Sequence, residues 1–158
     1  MGSGKSTVGR LVAGRLNLSF VDLDSLVEER LGMSIPRVFS AYGEAFFREA
    51  ETRVLEEVSR SFPPSVVATG GGIVLRESNW EIMQASGEVV YLHAPVEVLW
   101  ERVSHSTNRP LARDEERFRE LWLKRLPLYR KARIEVESYP KTPEEVAREV
   151  LGALGLTY

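Results

Sequence analysis

The sequence predicts an α/β fold, a parallel sheet covered on both faces by helices, and three observations predict it. Helix-like and strand-like segments alternate along the chain, the pattern that gives parallel sheets flanked by helices. A glycine-rich hexapeptide, Gly2-Ser3-Gly4-Lys5-Ser6-Thr7, opens the first amphipathic helix. Three glycines, Gly70-Gly71-Gly72, follow directly on the apolar run Val66-Val67-Ala68-Thr69, at the carboxyl edge where open α/β sheets bind ligands.

The first helix runs to about Leu16, with Val8, Leu11, Val12 and Leu16 on its apolar side. Leu18 to Asp22 reads as a short strand, and Ser25 to Leu31 as a helix stopped by Gly32 at its C′ position. Another helix starts near Ser34, carries Pro36 in its first turn and breaks at Gly43. A longer one follows from Glu44 to about Ser61, ended by Pro63-Pro64. Val66 to Thr69 is expected as a fully buried strand, with a helix near Ser78 to Ala85 and a strand from Val89 to Leu92 after it. Pro95 opens a helix to about Val103, and Asp114 to Arg125 is a charged helix carrying Phe118, Leu121 and Trp122. Ile134 to Val136 is the last strand, at an edge. Thr142-Pro143-Glu144-Glu145 is an N-cap, a first-turn proline and a capping-box glutamate, and it starts a terminal helix that buries Val146, Val150, Leu151 and Leu154.

These segments supply four strands. The complete phosphate-loop pattern, G-x-x-x-x-G-K-[ST], would put its first glycine before Met1, with a buried strand feeding it from the middle of the sheet. The expectation is a start codon set too late, with about ten upstream codons encoding a Val/Ile/Leu-rich strand that ends in Gly. A sheet lacking its centre leaves two rows of unpaired backbone groups and a slot between helices.

At 158 residues the chain is expected to form one domain, 1–158, large enough for a sizeable core. No apolar run approaches the roughly 20 residues that cross a bilayer, and the start is no export signal, so a cytoplasmic protein without a membrane partner is expected. The absence of cysteine excludes disulfides and thiolate metal sites. A net charge of −2 gives no reason to expect a nucleic-acid partner. Arginine outnumbers lysine 17 to 4, so an arginine-lined anion site can hide inside that average.

Glycines in the hexapeptide let backbone N–H groups curl around a triphosphate, Lys5 can reach its outer phosphates, and Ser6 can offer a hydroxyl to Mg²⁺. Asp22-Leu23-Asp24 falls where a strand ends and a helix begins; its carboxylates can divide between metal and a substrate hydroxyl, or serve as strand end and helix N-cap. Arg48 and Glu51, three apart on a helix, are a surface ion pair or an arginine aimed into the cleft by a carboxylate. The glycine triplet suits close approach of a ligand to main-chain N–H groups. Arg109, in Asn108-Arg109-Pro110-Leu111, is placed to cover a phosphate site from a flap. His93 and His105 have no partner at metal-ligand spacing and are expected in structural or surface roles.

Together these motifs resemble the shikimate kinase family over essentially the whole chain: Gly2 to Thr7, Asp22-x-Asp24, Phe47-Arg48-x-x-Glu51, Gly70-Gly71-Gly72, Arg109-Pro110-Leu111 and Arg125-x-Pro127-Leu128-Tyr129, in that order. The resemblance implies a three-layer α/β/α P-loop kinase related to nucleoside monophosphate kinases, with five parallel strands in the family and a helical lid, here about 109–124. It implies phosphorylation of the 3-hydroxyl of shikimate by MgATP, on the route to chorismate and the aromatic amino acids, by a monomer whose substrate-binding region is about 24–51. On that likeness Gly2, Ser3, Gly4, Lys5, Ser6 and Thr7 hold the ATP phosphates, and Ser6 and Asp22 hold Mg²⁺. Lys5, Asp24 and Arg109 are catalytic. Asp24, Phe47, Arg48, Glu51, Gly70, Gly71, Gly72 and Arg125 bind shikimate, with Arg48 and Arg125 on its carboxylate. Arg102, Lys141 and Pro143 match the adenine pocket loosely, and Arg109 closes over the phosphates. The lid is a few residues short of the family pattern. A gluconate or nucleoside monophosphate kinase, or a non-catalytic nucleotide-binding relative, are the alternatives.

Overall fold

The computed structural model describes residues 4–105 and 114–156. Eight helices and four strands alternate among them. Helix α1 (Lys5–Leu16) leads to β1 (Ser19–Asp22), and α2 (Leu23–Leu31), α3 (Ile35–Tyr42) and α4 (Glu44–Ser61) lead to β2 (Ser65–Ala68). A 3-10 turn (Gly71–Leu75) and α5 (Glu77–Ser86) precede β3 (Val90–His93). Then come α6 (Val96–Ser104), α7 (Glu115–Tyr129), β4 (Ile134–Glu137) and α8 (Pro143–Ala153).

The strands make two parallel pairs. Residues 19–22 of β1 register with 65–68 of β2, and 90–93 of β3 with 134–137 of β4. Alternation along the strands sorts the core into layers. Val67 and Tyr91 face the cluster built from α2, α3, α4 and α5, around Leu23, Val27, Val38, Phe47, Leu55 and Trp80. Val66, Val90, Leu92 and Val136 face the opposite cluster, where Val8 and Val12 of α1 meet Val146, Ala147, Val150 and Leu151 of α8. The result is the three-layer α/β/α arrangement that the alternating segments predict. A smaller third cluster joins α6 and α7 through Leu99, Val103 and Phe118, with Trp100 and Trp122 packed against it.

Between β2 and β3 runs an apolar slot of about 510 Å³, lined by residues such as Val8, Val12, Val66, Val67, Val90 and Leu92. Among the described residues no ladder joins the two pairs across it. The slot also corrects one expectation: Val66 and Val67 are only half-buried, because among the described residues no strand lies beside the edge of β2 that faces β3.

Helix boundaries follow local chemistry. Asp22 is the N-cap of α2, its Oδ1 accepting from the Ser25 backbone N–H at 3.1 Å, so α2 begins two residues before the predicted start and Asp24 lies in its first turn. Thr142 and Glu145 form the expected capping box of α8. Helix α7 passes the predicted end at Arg125 and continues through Pro127 to Tyr129. Among the described residues no helix is long and apolar enough to cross a membrane.

Candidate functional site

Because both pairs are parallel, the carboxyl ends of β1 and β2 lie side by side, placing Asp22 next to the Thr69-Gly70 exit. The N-terminus of α1 opens beside them. Gly4 caps it in a left-handed conformation (φ 85°), which a residue with a Cβ adopts only at a cost. Among the described residues no side chain caps α1 and no acidic residue sits in its first turn, so its positive end suits an anion. Ser6 Oγ donates to Asp22 Oδ2 at a long 3.4 Å, which brings the loop hydroxyl and the strand-end carboxylate together. Thr7 is exposed one residue further on. Gly2 and Ser3 lie outside the described residues, as does Arg109 with the lid segment to residue 113.

A hydroxyl and a carboxylate are hard oxygen donors of the kind Mg²⁺ takes when phosphate oxygens and waters complete its shell. The described residues contain no group of three His, Asp or Glu able to cage a metal by themselves. Ser6 and Asp22 therefore fit a metal carried in largely by its phosphates.

The second half of the site is built on α4. Arg48 is mostly buried and Glu51 is 1% exposed, so their pair is no surface ornament: Nη1 of Arg48 donates to Glu51 Oε1 at 3.0 Å. Burial raises the Glu51 pKa; the charge and hydrogen bond of Arg48 oppose that shift, Asp24 adds to it, and Arg125 opposes it. Asp24, Arg48 and Arg125 thus all act on one buried carboxylate. Arg48 Nε and Glu51 Oε2 are buried without a hydrogen-bond partner among the described residues, as befits a site built for a polar ligand.

The glycine triplet closes against these groups. A Cβ on Gly70 would lie 2.7 Å from Asp24 Oδ1, and one on Gly72 would overlap the Arg48 guanidinium. Gly71 O accepts from the Tyr129 hydroxyl at 2.7 Å. Arg125, 6% exposed, lies one turn before Tyr129 on α7, and its charge opposes the rise that burial gives that tyrosine's pKa. Lys5 lines one cavity of about 70 Å³ with Gly70, Gly71 and Tyr129, so the N-terminal end of α1 opens beside the glycine turn that packs on Arg48.

Phe47 lies on the core side of Arg48. Its ring is 3% exposed, packs on Phe39 with centroids 5.0 Å apart and lies 5.1 Å under the Arg48 guanidinium, so it supports Arg48 from the core. Arg102 is exposed on α6, Pro143 is the first residue of α8, and Lys141 Nζ bonds Glu149 at 2.9 Å. His105 is exposed, and the His93 carbonyl accepts from the Ser138 N–H at 2.8 Å, both outside the cluster. Sequence reasoning singled out the glycines and the motif, but neither the form of the turn nor a role for its tyrosine. The 3-10 turn at 71–75 has no period of its own, and the tyrosine that ends Arg125-x-Pro127-Leu128-Tyr129 carries its signal only as part of that motif.

Comparison with known proteins agrees with this geometry. A model of the family described as shikimate kinase matches residues 1–155. The shikimate kinase of Thermodesulfovibrio yellowstonii is 42% identical over 154 residues, covering 96% of this chain and 88% of that protein. Among solved structures, shikimate kinase from Acinetobacter baumannii in complex with shikimate superposes with a TM-score of 0.90 at 37% identity, covering 98% of this chain and 88% of that one. A gluconokinase from Sinorhizobium meliloti reaches a TM-score of 0.60 at 22% identity, which is a likeness of fold alone.

Proposed function

The chain belongs to the shikimate kinase family, and on that premise we propose that it transfers the γ-phosphoryl group of ATP to the 3-hydroxyl of shikimate. The observation that carries this reading is the buried Arg48–Glu51 pair, with Asp24 and Arg125 close enough to act on the same carboxylate, against a glycine turn that has no room for a Cβ. A small carboxylated triol needs that set: cations for its carboxylate, an acceptor for its hydroxyls, and little apolar surface. Charge-assisted pairs of this kind are roughly twice as strong as neutral hydrogen bonds.

In this reading Arg48 and Arg125 grip the carboxylate, Glu51 orients Arg48, and Gly71 presents main chain to the ring. Asp24 binds ring hydroxyls and accepts the proton leaving the 3-hydroxyl. Lys5 and the N–H groups of Gly4 to Thr7 neutralise charge on the phosphates, and Arg109 does so from the lid. Ser6 and Asp22 would hold Mg²⁺, which when bound neutralises phosphate charge and helps fix their geometry. Arg102, Lys141 and Pro143 are assigned to the adenine side. The protein is taken to act as a single domain, as a cytoplasmic monomer engaging neither nucleic acid nor membrane, in line with its modest net charge.

ADP release measured with shikimate, gluconate and nucleoside monophosphates tests the acceptor. Turnover is expected with shikimate alone; turnover with another acceptor and none with shikimate would end the assignment. Lys5→Ala is expected to lose turnover while keeping its melting temperature.

A further inference from the structure

The turn that carries Gly71 and Gly72 is weakly built on its own. It is one short 3-10 stretch, and Ile73 N donates to Gly70 O at 3.3 Å, the long end of the normal range. Two of its residues are glycine, which loses the most freedom on ordering. Yet Gly72 is buried against Arg48, so any drift of the turn moves the arginine.

Two side chains hold the turn at different carbonyls. Tyr129 donates to Gly71 O at 2.7 Å, its ring stacked on Tyr91 with centroids 5.2 Å apart. Asn79, fully buried, donates from Nδ2 to Ile73 O at 3.0 Å and accepts from Thr52 Oγ1 at 2.9 Å. Thr52 lies one turn beyond Arg48 on α4, and Tyr129 one turn beyond Arg125 on α7. Each tie therefore runs from the glycine turn to a helix that bears one of the two arginines.

We propose that Tyr129 and Asn79 are positioning residues that lock the glycine turn to the two arginine helices and so fix the spacing of the carboxylate grip for a small, rigid acid. The inference rests on the reading of Arg48 and Arg125 as that grip. Burial also raises the Tyr129 pKa above its ordinary 10.0, which keeps the phenol a donor at neutral pH.

Tyr129→Phe, which retains the ring on Tyr91, tests it. The KM for shikimate is expected to rise about tenfold, the KM for ATP to stay within about twofold, and the melting temperature to remain near that of the wild type. Asn79→Ala should show the same split between substrates with a lower melting temperature. An unchanged shikimate KM in Tyr129→Phe, or an equal rise for both substrates, overturns the proposal. Wild-type turnover with shikimate checks the underlying reading separately. If the wild type turns over no shikimate, hydrogen exchange at amides 71–75 decides: faster exchange in both variants sustains the lock, and unchanged exchange removes it.

Discussion

Gly72 has no side chain because Arg48 occupies the space one would fill. Gly72→Ala should push the guanidinium aside, which a long side chain can allow at little cost in folding. Its effect should resemble Arg48→Ala: weaker shikimate binding, with ATP binding unaffected. Loss of a partner from a buried charge pair costs about 2–5 kcal/mol, and equal weakening of both substrates would show that Arg48 has another role. Glu51 gives a pH signature. Its burial outweighs the Arg48 charge, so its folded pKa lies above the ordinary 4.5. The folded state then holds the proton to higher pH than the unfolded one. This stability is fully present below 4.5 and is lost as pH rises through the raised value. The wild type should lose melting temperature across that window and Glu51→Gln less; parallel curves would refute the assignment. The i,i+3 spacing of Arg48 and Glu51 is plain in the sequence, but their burial is not. Phe46 and Phe47 are equally apolar neighbours, and only packing on Phe39 decides that Phe47 turns inward while Phe46 stays 43% exposed. Asn79 was illegible for a similar reason: a polar residue early in a helix reads as solvated until Thr52, 27 residues away, meets it.

Elements were legible where local chemistry terminates them. Gly32, Gly43 and the Thr142–Glu145 box set helix ends that the structure keeps. Thr142→Ala should remove one cap bond and cost about 1 kcal/mol, read as a lower melting temperature with the KM for shikimate unchanged. A raised KM for shikimate would tie α8 to the acid side of the site rather than to the adenine side. Elements were misjudged where a local rule yields to packing. Proline lacks the N–H that continues a helix, and the charged pattern marks α7 only as far as Arg125. It runs on to Tyr129, whose ring packs on Tyr91 and whose hydroxyl finds Gly71 O, contacts between residues far apart in the chain. The strand ends shift by a residue for a related reason, because pairing partners rather than apolar runs define the ladder.

At the scale of the whole molecule, the layers and the slot between β2 and β3 both follow from counting apolar strands, and both are present. The division of the apolar side chains into three clusters does not follow from any pattern, since it depends on which helices cross. That division has an optical consequence. Of the three tryptophans, Trp80 is buried in the main cluster, while Trp100 and Trp122 pack on the small one shared by α6 and α7. Trp122 sits one turn before Arg125, so an acid drawn onto that arginine should alter its emission more than that of Trp80. Shikimate added to the protein should therefore change intrinsic fluorescence, a response that survives Trp80→Phe and fades in Trp122→Phe. The reverse pattern would mean that α7 stays still while the glycine turn over Trp80 moves.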